Sequence, residues 1–401
     1  MYIKQFYLYR IMGQLLPVYP VYMLMFQQKG LSISAISTLM ILWSIPGLLL
    51  EVPSSVLADR WNRKNLMVAG RLLKGLCFVV WSIWSNFTGF AAGFILWGAG
   101  GALCSGTEEA WLYDALKAHG RECEFDRIWG KSTFYYQMTV GIASIIGSII
   151  AAFNMQLTLW LSVISITVSA MIAVLFSEYN FHIQTQKGSS FKDYITTLKD
   201  GASFCFRHAT ISILVGFNLT VLVTAGILDE YDQLIVRSMG IPIALIGMWG
   251  FFRYSMEALG GRAAWKIKNL LERKGFTRPI SIQLNIAIFA GLLLALTAGF
   301  PILIMLPLYV LYYFLLSAGK VLFTDTLQTE VQYQGRATVQ SLAAMLETPS
   351  GILIYSLFGV VGGFGQLQGA MMAVAVWILV ICALFQALRK RQEGGLAHER
   401  K

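Results

Sequence analysis

Carboxyl groups lie inside several long apolar stretches of the sequence, where ionisable residues are uncommon. Glu347 lies ten residues into the stretch 337–361, which is about 15 Å along a helix. Glu108 and Glu109 lie in the segment GTEEAWLYD, near the end of another stretch. A charge within lipid hydrocarbon is costly unless it is paired or hydrated, so these groups are candidates for binding a proton or a charged solute. Because neighbouring helical positions point about 100° apart, at most one of Glu108 and Glu109 is expected to face an interior cavity.

Basic residues in other apolar stretches form a second set of candidates. Arg253 and Glu257 are four residues apart, a spacing that allows an intrahelical ion pair; the alternative is that Arg253 binds an anionic group of a solute. Arg10 lies close enough to the start of the first stretch to reach the lipid headgroups, or else it faces a cavity. Arg71 and Lys74 share one helical face, and for them we expect snorkelling or a structural pair.

The composition indicates that lipid surrounds most of these residues. The chain of 401 residues is 56% hydrophobic and only 13% charged, with a mean hydropathy of +0.62. A soluble domain is about one-quarter charged. Because a helix needs about 20 apolar residues to cross the hydrocarbon core, the sequence predicts an all-α polytopic membrane protein with about twelve transmembrane helices. The predicted spans are 6–26, 33–57, 65–85, 88–113, 132–153, 157–177, 209–229, 242–262, 280–299, 302–325, 337–361 and 367–388.

Lysine and arginine are distributed unevenly between the two ends of these spans. Only Lys29 and Arg237 fall in predicted outer loops, whereas most of the 31 basic residues fall in the opposite segments. Because positive residues mark the cytoplasmic side, both termini are predicted to be cytoplasmic. The net charge of +10 then follows from topology, and no nucleic-acid partner is expected. The acidic group Asp229, Glu230 and Asp232, at the outer end of the seventh span, is predicted to be a solvated mouth.

A polar connection divides the predicted spans into six plus six. The predicted domains are an N-terminal six-helix bundle at 1–177, a cytoplasmic linker at 178–208, a C-terminal six-helix bundle at 209–388 and a cytoplasmic tail at 389–401. Within the linker, Ser190 is a candidate N-cap for an amphipathic helix that lies along the membrane surface. Such a division suggests two halves that rock about a site near the midplane.

The loop between predicted spans two and three contains the sequence SVLADRWNRK, from residue 55 to residue 64. This segment resembles the cytoplasmic signature of the major facilitator superfamily, usually written G-x-L-A-D-R-x-G-R-K. Ser55 and Asn62 replace the two glycines; Asn is the next most tolerant residue of a positive φ, and Ser keeps a small side chain where helices approach closely. The matching residues are Leu57, Ala58, Asp59, Arg60, Arg63 and Lys64.

The resemblance implies the fold of that superfamily and a cytoplasmic gate. In the family, the signature aspartate and its basic neighbours hold the cytoplasmic side closed, together with an acid at the end of span four. Asp114 occupies the matching position here. The predicted gate consists of Asp59, Arg60, Arg63, Lys64 and Asp114. The alternative is an ordinary surface ion pair. The resemblance also implies a monomer in the cytoplasmic (inner) membrane.

Several kinds of chemistry lack their sequence signatures. Neither a GxxxxGK[ST] phosphate loop nor an HExxH motif occurs, and the five cysteines are far apart without a CxxC pair. The four histidines lie in predicted loops or in the tail. We therefore expect no ATP hydrolysis, no metal or other cofactor, no disulfide and no enzymatic activity.

Together these features predict a secondary active transporter that moves a small amphipathic or charged solute by alternating access, with the proton as coupling ion and membrane lipids as its surroundings. Export of a drug or metabolite is favoured because the segments GTEEAWLYD and RATV resemble bacterial efflux-type members of the superfamily. The fifth span lacks the Gly-Pro pair of many drug/proton antiporters of the family, which weakens a multidrug assignment. The alternatives are a proton-coupled symporter that imports a small nutrient and a non-transporting scaffold or sensor. The candidates for proton coupling or substrate binding are Glu347, Glu109, Glu108, Arg253, Glu257 and Arg10.

Overall fold

The described part of the chain is helical. A computed structural model of the protein describes residues 2–179, 209–275, 279–330, 336–364 and 366–398, together with residues 196, 199 and 203. Among these residues there is no β-strand, and short turns join the helices. The chain forms two compact units whose boundary falls at residue 194, except that 242–251 belong to the first unit.

Helices α1 to α8 belong to the first unit. Their bounds are α1 Tyr2–Met12, α2 Tyr22–Gln28, α3 Ile33–Arg60, α4 Arg63–Ile83, α5 Phe87–Cys104, α6 Thr107–Lys117, α7 Phe125–Phe153 and α8 Met155–Val174. Side-chain oxygens of Ser32, Asn86 and Asn154 accept an amide hydrogen bond from the first turns of α3, α5 and α8. These N-caps fix where the three helices begin.

Helices α9 to α15 follow, and all but the first residues of α11 belong to the second unit. Their bounds are α9 Ala209–Phe217, α10 Val223–Ser238, α11 Ile243–Arg273, α12 Pro279–Gly299, α13 Leu306–Glu330, α14 Arg336–Phe364 and α15 Leu367–His398. A π-helical stretch, Asn218–Leu222, joins α9 to α10.

Ten helices within the described residues are long and apolar enough to cross a membrane. The two predicted spans that are not among them are 6–26 and 242–262. The first is divided between two short helices, and the second includes Arg253, Glu257 and Arg262, which lower its hydropathy. Twelve spans and the cytoplasmic position of both termini therefore stay predictions.

The first predicted span is interrupted between α1 and α2, and we call residues 13–21 the span-one break. Pro17 and Pro20 lie within it and cannot donate the amide hydrogen bonds that a continuous helix needs. Gly147 of α7 packs directly against this backbone, because a Cβ atom at Gly147 would lie 2.1 Å from the carbonyl oxygen of Pro17. The break is therefore held against the rest of the first unit.

Serines of α8 form hydrogen bonds with the backbone around the span-one break. Ser165 Oγ donates to the carbonyl of Met12 at 2.7 Å. Ser169 Oγ donates to a carbonyl in the last turn of α1 at 2.9 Å. Ser162 Oγ accepts from the amide of Val18 at 3.2 Å. Because an unpaired backbone group in lipid costs several kcal/mol, these buried hydroxyls stabilise the non-helical stretch.

The fourth predicted span is also interrupted, at residues 105 and 106. α5 ends at Cys104 and α6 begins at Thr107, with Gly106 between them at a φ of +68°. That positive φ favours glycine, because a side chain would be strained there. The interruption puts the predicted site residue Glu108 in the first turn of α6.

Parts of the predicted organisation lie outside the described residues. These include most of the linker 178–208 with Ser190, and the last residues of the tail 389–401. The predicted division into bundles at 1–177 and 209–388 likewise stays a prediction.

Candidate functional site

Glu108 is the centre of an ion-pair cluster in the first unit. Its carboxylate accepts hydrogen bonds from Arg10 Nη1 at 2.8 Å and from Arg71 Nη2 at 2.7 Å. The hydroxyl of Tyr9 donates a third hydrogen bond at 2.7 Å. The cluster joins α1, α4 and α6 next to both helix interruptions. We call Tyr9, Arg10, Arg71 and Glu108 the Glu108 cluster.

The Glu108 cluster is buried and carries an excess of positive charge. The side chains of Arg10, Arg71 and Glu108 are 10%, 5% and 12% exposed. The guanidinium of Arg10 lies over the rings of Trp129 and Tyr136, at 4.7 and 5.0 Å from their centroids. Two guanidinium groups thus face one carboxylate, and aromatic faces provide further stabilisation of the cations.

The structure separates the two adjacent acids that the sequence could not distinguish. Glu108 lies in the cluster, whereas Glu109 is exposed and makes no hydrogen bond or ion pair with another described residue. Arg71, for which snorkelling or a structural pair was expected, is paired with Glu108. Arg10 does not reach outward to headgroups, because its side chain is buried against Glu108.

Lys74 lies one turn beyond Arg71 on α4 and is surrounded differently. Its Nζ is 5.1 Å from the ring centroid of Tyr19 and 5.2 Å from that of Trp97. The two rings are nearly parallel, with centroids 5.3 Å apart. Tyr19 belongs to the span-one break. We call Lys74, Tyr19 and Trp97 the Lys74 cluster.

Arg253 is the centre of an ion-pair cluster in the second unit. Its guanidinium contacts the carboxylates of Asp229 and Glu257, and its Nε lies 3.1 Å from an oxygen of Asp232. The rings of Tyr254 and Tyr313 lie 4.1 and 4.5 Å from the guanidinium carbon. We call Arg253, Asp229, Asp232 and Glu257 the Arg253 cluster.

The Arg253 cluster differs from the sequence-based prediction in one respect. The predicted ion pair of Arg253 and Glu257 is present. The prediction of a solvated acidic mouth is wrong for Asp232, because that side chain is 6% exposed and is paired with the buried Arg253. Asp229 and Asp232 are three residues apart and share a helical face, a signal that could have marked them as joint partners of a cation.

Glu347 has a polar neighbour of a different kind. Its carboxylate accepts a hydrogen bond from Asn218 Nδ2 at 3.3 Å. Asn218 is the first residue of the π-helical stretch, a feature that is frequent at functional sites. Within the described residues, Glu347 forms no ion pair. It is therefore a carboxyl group in a predicted span with no described cation at ion-pair distance.

One part of the predicted cytoplasmic gate is described in the structure. Arg63 donates hydrogen bonds to the carboxylate of Asp114 and to the carbonyl of Ala110, the latter at 3.1 Å. The side chains of Arg63 and Asp114 are 12% and 10% exposed, so the pair is not an ordinary surface ion pair. The side chains of Asp59 and Arg60 lie outside the described part of the chain.

A sequence model of the Major Facilitator Superfamily matches residues 7–355. The chain belongs to this superfamily. The predicted family is thus confirmed, and the chain is an integral membrane transporter with transmembrane helices. The efflux-type subfamily stays a prediction.

Solved structures of other transporters have a similar fold. Examples are the nucleoside transporter NupG (15% identity, TM-score 0.73, covering 96% of this chain and 97% of that chain), the POT family transporter PepTSo (12%, 0.65, 98% and 98%) and a D-xylose-proton symporter (13%, 0.62, 96% and 97%). Identities this low show the fold alone. A search of curated proteins gives no match.

Within the described residues, no group of three His, Cys, Asp or Glu side chains is arranged to hold a metal ion.

Proposed function

We propose that this superfamily member is a proton-coupled secondary transporter that exports a small amphipathic or charged solute across the cytoplasmic membrane by alternating access. The observation that carries the proposal is the Arg253 cluster, in which three carboxyl groups share one guanidinium. The proton is the coupling ion that such a group can bind directly.

The charge balance of the Arg253 cluster supports proton binding. Among the described residues, three ionised acids would place three negative charges around one guanidinium; Arg253 and Asp232 are 2% and 6% exposed, and Asp229 and Glu257 are 31% and 28% exposed. Burying an uncompensated charge is costly because water no longer screens it. A proton bound within the group removes one of these charges. It also changes which carboxylates attract Arg253, and this change is how proton binding would be coupled to movement.

Glu347 is the second proposed proton site. Asn218 stabilises its carboxyl group by one neutral hydrogen bond, and no described cation holds it in the ionised form. Among the described residues, a proton bound to this acid would therefore break no ion pair. Its depth in a predicted span gives the proton a location inside the membrane.

Glu108, Arg10 and the remaining charged residues have other proposed roles. The Glu108 cluster has more cations than acids, so we assign it to substrate binding and to holding the helix interruptions together. The pair of Arg63 and Asp114 is assigned to the cytoplasmic gate. Glu109 has no proposed role, because it is exposed and forms no hydrogen bond or ion pair with another described residue.

Export is the proposed direction because the segments GTEEAWLYD and RATV resemble bacterial efflux-type members. The solved relatives include a nucleoside transporter and a proton symporter, and these likenesses leave the solute and the direction of transport open. The resemblance to the superfamily also implies that the protein is a monomeric carrier in the cytoplasmic membrane.

The test is substrate-dependent proton movement in liposomes that contain the purified protein and a pH-sensitive dye. Metabolites and cationic, zwitterionic and anionic drugs are added one at a time under an imposed pH gradient. We expect at least one compound to drive proton flux opposite to its own movement. The flux should be lost in Glu347→Gln or Asp232→Asn and retained in Glu109→Gln, a matched change at an exposed acid.

Other outcomes have definite meanings. Proton and solute moving in the same direction would indicate import by symport. Solute transport without proton flux would exclude proton coupling, and the absence of transport with every compound would favour a scaffold or sensor.

A further inference from the structure

Lys74 lies so far from both ends of its helix that contact with lipid headgroups does not explain its position. It is eleven residues from the start and nine from the end of α4, about 16 and 14 Å along the axis. A lysine near the middle of a predicted span needs a counter-ion, water or another compensating group.

The described carboxylates do not provide this counter-ion. Lys74 forms no ion pair with any of them, and both oxygens of Glu108 already accept hydrogen bonds from Arg10, Arg71 and Tyr9. Arg71, one turn away on the same face, adds a second positive charge instead of neutralising the first. Within the described part of the chain, Lys74 on this face of α4 therefore has no carboxylate at ion-pair distance.

The neighbours of Lys74 are aromatic. A cation over an aromatic ring gains about 0.5–2 kcal/mol, which is less than the several kcal/mol that a charge costs inside lipid. Tyr19 and Trp97 are only partly buried, as is Lys74. Tyr19 also lies in the span-one break, and non-helical backbone at membrane depth is tolerated where it is buried in protein or lines a water-filled cavity.

We infer that the Lys74 cluster binds the substrate through an anionic group, and that the substrate is an aromatic monocarboxylate. The ammonium group of Lys74 would form the charge-assisted hydrogen bond with the carboxylate, and the partly exposed rings of Tyr19 and Trp97 would pack against the flat ring. Arg71, which is paired with Glu108, would add to the positive potential at this site. This inference rests on the proposed transport function and names its substrate class.

The test measures binding and does not depend on transport. Benzoate, 2-naphthoate and indole-3-acetate are each titrated into the purified full-length protein by calorimetry, beside the corresponding carboxamides. Each pair has nearly the same shape and differs in charge. We expect at least one acid to bind at least ten times more tightly than its amide.

Variants assign this preference to Lys74. Lys74→Gln should reduce the affinity of the acid to that of the amide, whereas Lys74→Arg should retain a preference for the acid. Lys131→Gln is the matched control, because Lys131 also lies over two rings, at 5.9 Å from Tyr7 and 5.7 Å from Tyr135, but is exposed. Thermal unfolding of each variant shows whether it is folded. If Lys74→Gln is not folded, Trp97→Leu is used in its place and should weaken the binding of both the acid and the amide.

The inference is overturned if none of the acids binds, if acid and amide bind equally to the unmodified protein, or if folded Lys74→Gln keeps the preference. Proton flux with a cationic compound in a protein that binds none of the acids would leave the proposed transport function intact. If the acids bind but no proton flux occurs under any condition, the binding inference stands and the proposed proton-coupled transport fails.

Discussion

The substitution Glu108→Gln should destabilise the protein strongly, because it removes the only carboxylate of the Glu108 cluster. The carboxylate accepts three hydrogen bonds of 2.7 to 2.8 Å from Arg10, Arg71 and Tyr9. Glutamine has nearly the same size, but it offers a single acceptor oxygen and turns an NH2 group towards a donor. The change therefore removes charge and hydrogen bonding while leaving the packing almost unchanged.

The expected magnitude follows from the burial of the two arginines that remain. Their side chains are 10% and 5% exposed, so water cannot replace the lost carboxylate. Removing one partner from a buried ion pair costs about 3–5 kcal/mol, mostly because the other charge stays buried without compensation. We expect a loss in this range in the free energy of unfolding, and a fall of roughly 4–6 °C in the midpoint of thermal unfolding of a chain of this length.

The assay is thermal unfolding of purified protein, followed by intrinsic tryptophan fluorescence. Glu109→Gln is the control, since it makes the same chemical change at the adjacent exposed residue and should shift stability by less than about 0.5 kcal/mol. The double variant Glu108→Gln with Arg71→Gln should lose less stability than the sum of its single variants, because the two side chains interact. Equal midpoints for Glu108→Gln and Glu109→Gln would refute the reasoning.

Two further predictions concern packing and the gate. Gly147→Ala should destabilise the protein by about 1–3 kcal/mol in thermal unfolding, because the new Cβ would lie 2.1 Å from the carbonyl oxygen of Pro17. Gly101→Ala is the control and should not destabilise the protein, because no atom lies within 4 Å of its Cβ. Similar losses of stability in both variants would contradict the packing argument. Asp114→Asn should slow transport in proteoliposomes by roughly tenfold, equivalent to about 1.4 kcal/mol, and the exchanged pair Arg63→Asp with Asp114→Arg should recover part of the rate. An unchanged rate in Asp114→Asn would exclude a gating role for this pair.

The sequence was most informative where a single segment determines the structure. Long apolar stretches predicted most of the membrane helices, and the segment SVLADRWNRK predicted the family that the sequence model confirms. The interruptions were missed although their residues are visible. Pro17 and Pro20 lie inside the first predicted span, and Gly106 lies inside the fourth. Hydropathy is averaged over a window of residues, so it does not detect a stretch whose backbone is not helical but whose side chains are still apolar.

The candidate sites were harder to predict because they depend on contacts between helices. Whether Glu108 or Glu109 turns inward depends on the helical phase of α6, which is reset at Gly106. The partnership of Asp232 with Arg253 joins residues of different helices, and the sequence gives no spacing rule for such a contact. Only the pair within one helix, Arg253 and Glu257, could be read from its spacing of four.

The hydrogen bonds between α8 and the span-one break have a consequence for comparing relatives. In a relative whose first span is a continuous helix, the backbone amides and carbonyls would form hydrogen bonds with one another. Hydroxyls at the positions of Ser162, Ser165 and Ser169 would then have no unpaired backbone group of that span as a partner. The spacing Ser-x2-Ser-x3-Ser in the sixth span should therefore co-vary with Pro-x2-Pro in the first. Where the two patterns occur together, they would identify carriers with an unwound first helix from sequence alone.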